Sequence, residues 1–213
     1  MKLIKNRETK GILIVISSPS GAGKTSICKE LLRLDRKIKP SISVTTRKPR
    51  NNETNGVDYI FVSDNDFNEQ ISKGNFLEYA NVFSNKYGTL ASTTEKLLSD
   101  NYDVLFDIDW QGTQQLSQDN NNILTIFILP PNKAEIERRL KKRETENSES
   151  INIVSERMSK FEDELSHWKE YDYVVTNDDF EKCISEILNI ISAERKKRTR
   201  QNTLFTKIRD LTE

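Results

Sequence analysis

The chain has 213 residues, its 33 Lys plus Arg are balanced by 33 Asp plus Glu, and its formal net charge is zero. That length fits one domain with room for insertions, and 35% hydrophobic residues suffice for a core beneath a surface made wet by 31% charged ones. Two cysteines, Cys28 and Cys183, and one histidine, His167, exclude a disulfide scaffold or a Cys/His zinc site and read as core thiols and a structural ring. The longest aliphatic run, Ile12 to Ile16, is far short of the roughly 20 residues that cross a bilayer, and residues 1–10 lack the apolar stretch of a secretion signal. A cytoplasmic protein without a membrane partner is expected.

Gly11 to Ser17 (GILIVIS) predicts a buried strand, Ser18 to Thr25 a polar loop, and Ser26 to Leu34 a helix with Ile27, Leu31, Leu32 and Leu34 on one face. Ser41 to Thr46 and Asp58 to Val62 read as short strands, Asp66 to Lys73 as a short helix stopped by Gly74, and Phe76 to Val82 as another strand. Ser92 with Glu95 has the spacing of a capping box and opens a helix. Tyr102 to Ile108 and Ile123 to Leu129 are further strands, the second ended by Pro130-Pro131. Helices follow from Asn132 to Arg143 and, past the polar stretch Glu144 to Asn152, on to about Trp168. Tyr173 to Thr176 is a last strand before a helix with Ile184, Ile187, Leu188 and Ile191 on one face. Strands separated by helices imply right-handed βαβ units and a parallel sheet, with ligands outside the carboxyl ends of its strands. The stretch from Ser41 to Gly88 breaks that rhythm and suggests a small inserted subdomain.

Ser18-Pro19-Ser20-Gly21-Ala22-Gly23-Lys24-Thr25 matches the phosphate-binding Walker pattern at its last three residues, with Ser18 where the first glycine usually stands. Following a strand and opening a helix, the amides of residues 20 to 25 would converge on a phosphate at the positive end of the helix dipole. Lys24 would neutralise the β and γ phosphates and the Thr25 hydroxyl would ligate magnesium. Such loops serve GTPases, motors and kinases alike. A switch-GTPase reading has its own support in Asp109-Trp-Gln-Gly112 and in Asn132-Lys-Ala-Glu135, although the latter carries Glu where a guanine-reading NKxD needs Asp. Asn132 also suits a helix cap, with Glu135 placed to reciprocate.

Arg47 and Arg50, on a chain stiffened by Pro49, offer two planar forks to a tetrahedral oxyanion. Tyr59, Glu78, Tyr87 and Thr89 add hydroxyls and a carboxylate from the same β-like region. With SSPSGAGKT (17–25), SVTTRKPR (43–50), NGVDYIFV (55–62), FLEYANV (76–82), YGT (87–89), DIDWQG (107–112) and HWKEYDYVVTND (167–178), the chain resembles the guanylate kinase family from about residue 11 to about 195.

The resemblance implies an α/β fold: a P-loop NTPase-type parallel sheet flanked by helices (10–40, 90–138, 158–195), an inserted GMP-binding subdomain (41–89) and a helical lid (139–157). Beyond it lies a basic tail (196–213). It implies magnesium-dependent transfer of the γ-phosphoryl of ATP to GMP, in purine nucleotide recycling. Arg47, Arg50, Tyr59 and Tyr87 fall to the GMP phosphate, and Ser43, Glu78 and Thr89 to the guanine, with Asp109 nearby. Guanine's N1 hydrogen and 2-amino group form a donor pair that a carboxylate accepts, whereas adenine offers an acceptor at N1. Residues 18–25 and Asn177 fall to ATP, Thr25 and Asp107 to magnesium, and Arg139, Arg143 and Arg157 to the lid. A phosphate nucleophile is already largely dianionic at neutral pH, so catalysis needs positioning and charge neutralisation by Lys24 and the arginines, with no general base. A monomer or homodimer with no obligatory nucleic acid is expected. The alternatives are a catalytically silent protein-interaction module of the same family, or the switch GTPase.

The zero net charge is a cancellation. Residues 195–213 hold seven basic and two acidic side chains, leaving the body at −5. The run from Arg195 to Arg200 reads as a solvated helix end.

Overall fold

The computed structural model describes residues 11–50, 53–82, 84–120, 122–147, 151–201 and 204–213, with the side chains of 119, 142–147, 151–157 and 205 excepted. Five strands, β1 (Leu13–Ser17), β2 (Ile38–Pro40), β7 (Asp103–Asp107), β8 (Ile123–Leu129) and β9 (Tyr173–Thr176), form one parallel sheet in the order β2-β7-β1-β8-β9. Because β1 is central and buried on both sides, its residues alternate between two cores rather than between core and water. Ile12, Ile14 and Ile16 meet Ile27 and Leu31 of helix α1 (Lys24–Leu34) and Ile184, Ile187 and Ile191 of α7 (Phe180–Lys196). Leu13 and Val15 face the other way, toward Leu98 of α3 (Ala91–Ser99) and Leu116 of α4 (Trp110–Asp119).

A second sheet is built from β3 (Val44–Thr45), β4 (Ile60–Phe61), β5 (Phe76–Val82) and β6 (Asn85–Leu90) in the order β4-β3-β6-β5. Its small core is Val44, Phe67 and Phe76, with Phe67 supplied by α2 (Asp64–Ser72), whose Ser63 and Asp66 form a capping box. The two sheets are hooked together by Gln115 of α4. Its Nε2 donates to the Tyr79 carbonyl at 2.7 Å and its Oε1 accepts the Tyr79 N–H at 3.1 Å. Helices α5 (Lys133–Asn147) and α6 (Ile151–Ser166) pair through Ile136, Leu140 and Phe161, and α8 (Leu204–Asp210) closes the chain.

Three sequence expectations change. Helix α3 begins at Ala91 with Leu90 as its cap, and the Leu90 carbonyl takes the Thr93 and Thr94 hydroxyls, so no Ser92–Glu95 box forms. Helix α4 occupies a stretch for which no helix was expected, since Gln, Gly, Thr and Ser give it weak periodicity; Asp109 starts it by capping Gly112 N–H at 3.1 Å. The basic run after Arg195 is partly folded inward. Arg195 meets the fully buried Asp103 and Asp35, while Arg200 meets the buried Glu194, Asn122 and the Ile123 carbonyl. Among the described residues no helix is long and apolar enough to cross a membrane.

Candidate active site

The loop from Ser18 to Gly23 leaves the carboxyl end of the central strand, where the chain turns from β7 on one side to β8 on the other, the crevice in which such sheets bind ligands. Gly23 caps α1 at φ 101°, and a Cβ there would lie 2.7 Å from Asn177 Nδ2, so the backbone conformation and the close neighbour both demand glycine. Asn177 is buried and donates to the Ala22 carbonyl at 2.8 Å, and Arg139 Nη1 donates to the same oxygen at 3.1 Å. Asn177, expected to serve ATP, and Arg139, expected in the lid, thus both hold the backbone of the loop. Two of the amides expected to converge on a phosphate are also engaged: Ser20 N–H donates to Glu164 Oε2 at 2.8 Å, and Ala22 N–H to the Pro19 carbonyl at 3.2 Å. The amides of Lys24 and Thr25 open the helix, where no preceding turn accepts them.

Lys24 Nζ lies 2.5 Å from Asp107 Oδ1 and donates to the Ile108 carbonyl at 3.1 Å. Burial would lower its pKa, but the Asp107 carboxylate outweighs that and raises it, so Lys24 stays charged. The Thr25 hydroxyl donates to Asp107 Oδ2 at 3.2 Å, which sets a hydroxyl and a carboxylate side by side at the end of β7.

The second sheet and its flanking turns carry the remaining residues. Arg47 lies 5.2 Å over the Tyr59 ring, and Tyr59 and Tyr87 meet edge to face at 6.1 Å. The Tyr59 hydroxyl, raised in pKa by burial and by Asp107, also feels Lys24, so this cluster borders the phosphate loop. Glu53 grips the Arg47 fork with both oxygens at 2.9 Å and accepts Arg50 N–H at 2.8 Å. Glu53 carries only a weak signal in the sequence, a lone carboxylate three residues beyond paired arginines. Ser43 ends its strand pairing by accepting Ile60 N–H through its carbonyl at 2.9 Å.

Glu78 is 2% exposed, opposite the fully buried Thr89 in the β5–β6 ladder. Neither Glu78 Oε1 nor Thr89 Oγ1 has a hydrogen-bond partner among the described residues. Burial, helped by the Asp109 carboxylate, pushes the Glu78 pKa up to about 7 despite the neighbouring Thr89. Asp109 itself caps α4 and takes Gln111 Nε2 at 3.1 Å. The Thr89 hydroxyl and N–H face the carboxylate and favour its ionised form, but the Oε1 atom, buried without a well-formed hydrogen bond, is costly unless a ligand completes it.

Asn132 Oδ1 takes Glu135 N–H at 2.9 Å as a helix cap, but Glu135 does not reciprocate, because its carboxylate is held by Arg138 and Arg139 at 2.7 Å. That arrangement uses both residues structurally, Asn132 as a helix cap and Glu135 as the anchor of two arginines. His167 is structural as expected, stacked on Trp110 at 3.7 Å and bound to Glu170. Arg143 and Arg157 lie on α5 and α6, and the expectations for their side chains fall outside the described residues.

The strand, loop and helix around Lys24, on a parallel sheet whose strand order reverses at β1, define a P-loop protein of the α/β class. A guanylate kinase family model matches residues 10–194. The guanylate kinase of Rickettsia prowazekii (strain Madrid E) is 48% identical over 190 residues, 89% of this chain and 95% of that protein. That of Paramagnetospirillum magneticum is 49% identical over 193 residues, 90% of this chain and 89% of that one. The crystal structure of guanylate kinase from Anaplasma phagocytophilum superposes with a TM-score of 0.77 at 34% identity, covering 93% of each chain. The chain belongs to the guanylate kinase family.

Proposed function

We propose that the protein is an ATP:GMP phosphotransferase, moving the γ-phosphoryl of ATP onto the phosphate of GMP to give ADP and GDP, and so returning GMP to the purine nucleotide pool. The observation that carries this reading is Glu78: a buried carboxylate with an unpartnered oxygen, facing the equally unpartnered Thr89 hydroxyl, on a sheet that borders the phosphate loop. Guanine's N1–H and 2-amino group complete the carboxylate, and Ser43 and Thr89 complete the base site. The same pocket repels adenine, whose N1 is an acceptor.

Arg47, Arg50, Tyr59 and Tyr87 hold the GMP phosphate, whose approach takes the Arg47 fork over from Glu53 or shares it. Residues 18–25 hold ATP. Lys24 exchanges the Asp107 carboxylate for phosphate oxygens, a move within reach because its flexible stem already lies in the loop. Arg139, with Arg143 and Arg157 from α5 and α6, neutralises the charge on the transferring group. The attacking oxygen is already anionic, so no residue need remove a proton.

Thr25 and Asp107 are two hard oxygen donors 3.2 Å apart, which suits a magnesium ion that completes its shell with waters and phosphates rather than a full protein cage. Magnesium there supplies charge neutralisation for the β and γ phosphates. Residues 41–89 act as the GMP-binding unit, 139–157 as the lid and 196–213 as the tail of a cytoplasmic monomer or homodimer. Incubation with γ-labelled ATP and GMP tests the reading. Label in GDP is the expected result, and label released only as inorganic phosphate would contradict it.

A further inference from the structure

Glu164 lies on α6, seven residues and two helical turns beyond Arg157. Its Oε2 accepts the Ser20 N–H at 2.8 Å, across 144 residues of sequence. Burial raises its pKa, while the Ser20 amide and the Lys24 and Lys160 charges favour the ionised form and Asp109 opposes it. A carboxylate therefore stands beside a loop whose ligand is expected to be a triphosphate, an arrangement that costs binding energy through like-charge repulsion. Repulsion of that kind has to be offset by something the oxygen does.

What it does is fix one amide. The loop is held elsewhere by Arg139 of α5 and by Asn177, which follows the end of β9. Ala22 carbonyl takes Arg139 and Asn177, and a side chain at Gly21 would meet Leu140 of α5 at 3.2 Å. Both of those contacts lie in the second half of the loop. Ser20 is in the first half, between Pro19, which has no backbone N–H, and Gly21, whose φ of 86° only glycine adopts readily. The Glu164 bond is the described contact that ties this half to the α5–α6 pair. A loop left free there would sample conformations in which its amides no longer converge, and nucleotide would have to select the competent one.

We infer that Glu164 is a positioning residue for nucleotide binding, its carboxylate oxygen holding the Ser20 amide so that the phosphate loop is preformed and joined to the helix that carries Arg157. The inference deepens the kinase reading and rests on the same loop. The working part is the hydrogen-bond acceptor, not the charge. Glu164→Gln keeps the acceptor and removes the charge. Glu164→Met has nearly the same length and lacks a comparable acceptor.

The test is calorimetric binding of ADP with magnesium to the full chain and both variants, followed by separate KM values for ATP and GMP. The Gln variant should bind ADP at least as tightly as the parent, because repulsion is relieved. The Met variant should bind about three- to tenfold more weakly than the Gln variant, the worth of one hydrogen bond, with KM for ATP raised in step and KM for GMP within twofold. Both should melt no lower than the parent, since a half-buried charge has been removed. Equal ADP affinity in the two variants would overturn the inference. So would equal losses in both, which would assign the role to the charge, or a Met variant that melts well below the Gln one or loses GMP as much as ATP, which would make the bond merely structural. A parent that binds ADP but forms no GDP would refute the kinase reading, and the comparison of the two variants would still decide the role of Glu164. A parent that binds no ADP would overturn both.

Discussion

Gly112 at the start of α4 lies so close to Glu78 that a Cβ on it would stand 2.6 Å from the carboxylate's Oε2. The pairing joins the two sheets, since Glu78 belongs to β5 and Gly112 follows the end of β7. It explains a glycine three residues into a helix, a position that otherwise costs about 1 kcal/mol relative to alanine.

Gly112→Ala should therefore displace the carboxylate without harming the helix. KM for GMP is expected to rise about tenfold while KM for ATP stays within twofold, because lost base contacts of this kind are worth one to two hydrogen bonds. Steady-state kinetics with each substrate varied in turn would show this. A parental KM for GMP would mean that Glu78 can move aside and still read the base.

Glu78 also gives a pH signature. Burial pushes its pKa up to about 7, above the ordinary glutamate value, so its ionised form is disfavoured by folding. A carboxylate with a raised folded pKa lowers stability as pH climbs from the unfolded value, near 4.5, through about 7. Glu78→Gln should melt close to the parent at pH 5 and above it at pH 8, by up to about 3 kcal/mol. For GMP the sign is opposite: the ionised form accepts the guanine donors, so the parent's KM for GMP should rise as pH falls below 7. Thermal melts in which the variant gains nothing at pH 8 would refute the buried-charge account.

Lys24→Ala removes the cation that Asp107 and the phosphates share. Turnover should fall by several orders of magnitude with the circular dichroism of the fold retained, the scale expected when a principal transition-state charge contact is lost. Turnover within tenfold of the parent would show that the loop needs no such cation.

Arg195→Ala should destabilise the chain by about 2–4 kcal/mol in urea unfolding, because it strips the fully buried Asp103 of its closest cation, leaving Ile12 N–H at 3.0 Å and Lys37 Nζ at 3.9 Å. A loss below about 0.5 kcal/mol would return Arg195 to the status of a solvated surface charge.

The sequence announces the parts governed by local rules. The apolar run of β1, the glycine-lysine turn and the strands at Tyr102 and Ile123 all stand where periodicity places them. Arg47, Tyr59 and Tyr87 meet one another because the inserted sheet and its flanking turns bring them together. What stayed hidden are contacts made across long stretches of chain. No local signal says that Glu53 will occupy the Arg47 fork, that Gln115 will bracket Tyr79, or that Glu164 will find the Ser20 amide. Helix α4 escaped because its weakly apolar face is decided by tertiary packing and by the Asp109 cap. Arg195 and Arg200 read as solvated because burial of a charge depends on carboxylates, Asp103 and Glu194, whose own burial the sequence does not reveal.

If Glu78 reads guanine beside the phosphate loop, the chain phosphorylates GMP in preference to other nucleoside monophosphates. ADP release measured with ATP and magnesium, with GMP, AMP, CMP and UMP added in turn, tests it most directly. Strong stimulation by GMP and little by the other three is the expected result. Equal stimulation by AMP, or none by GMP, would contradict it.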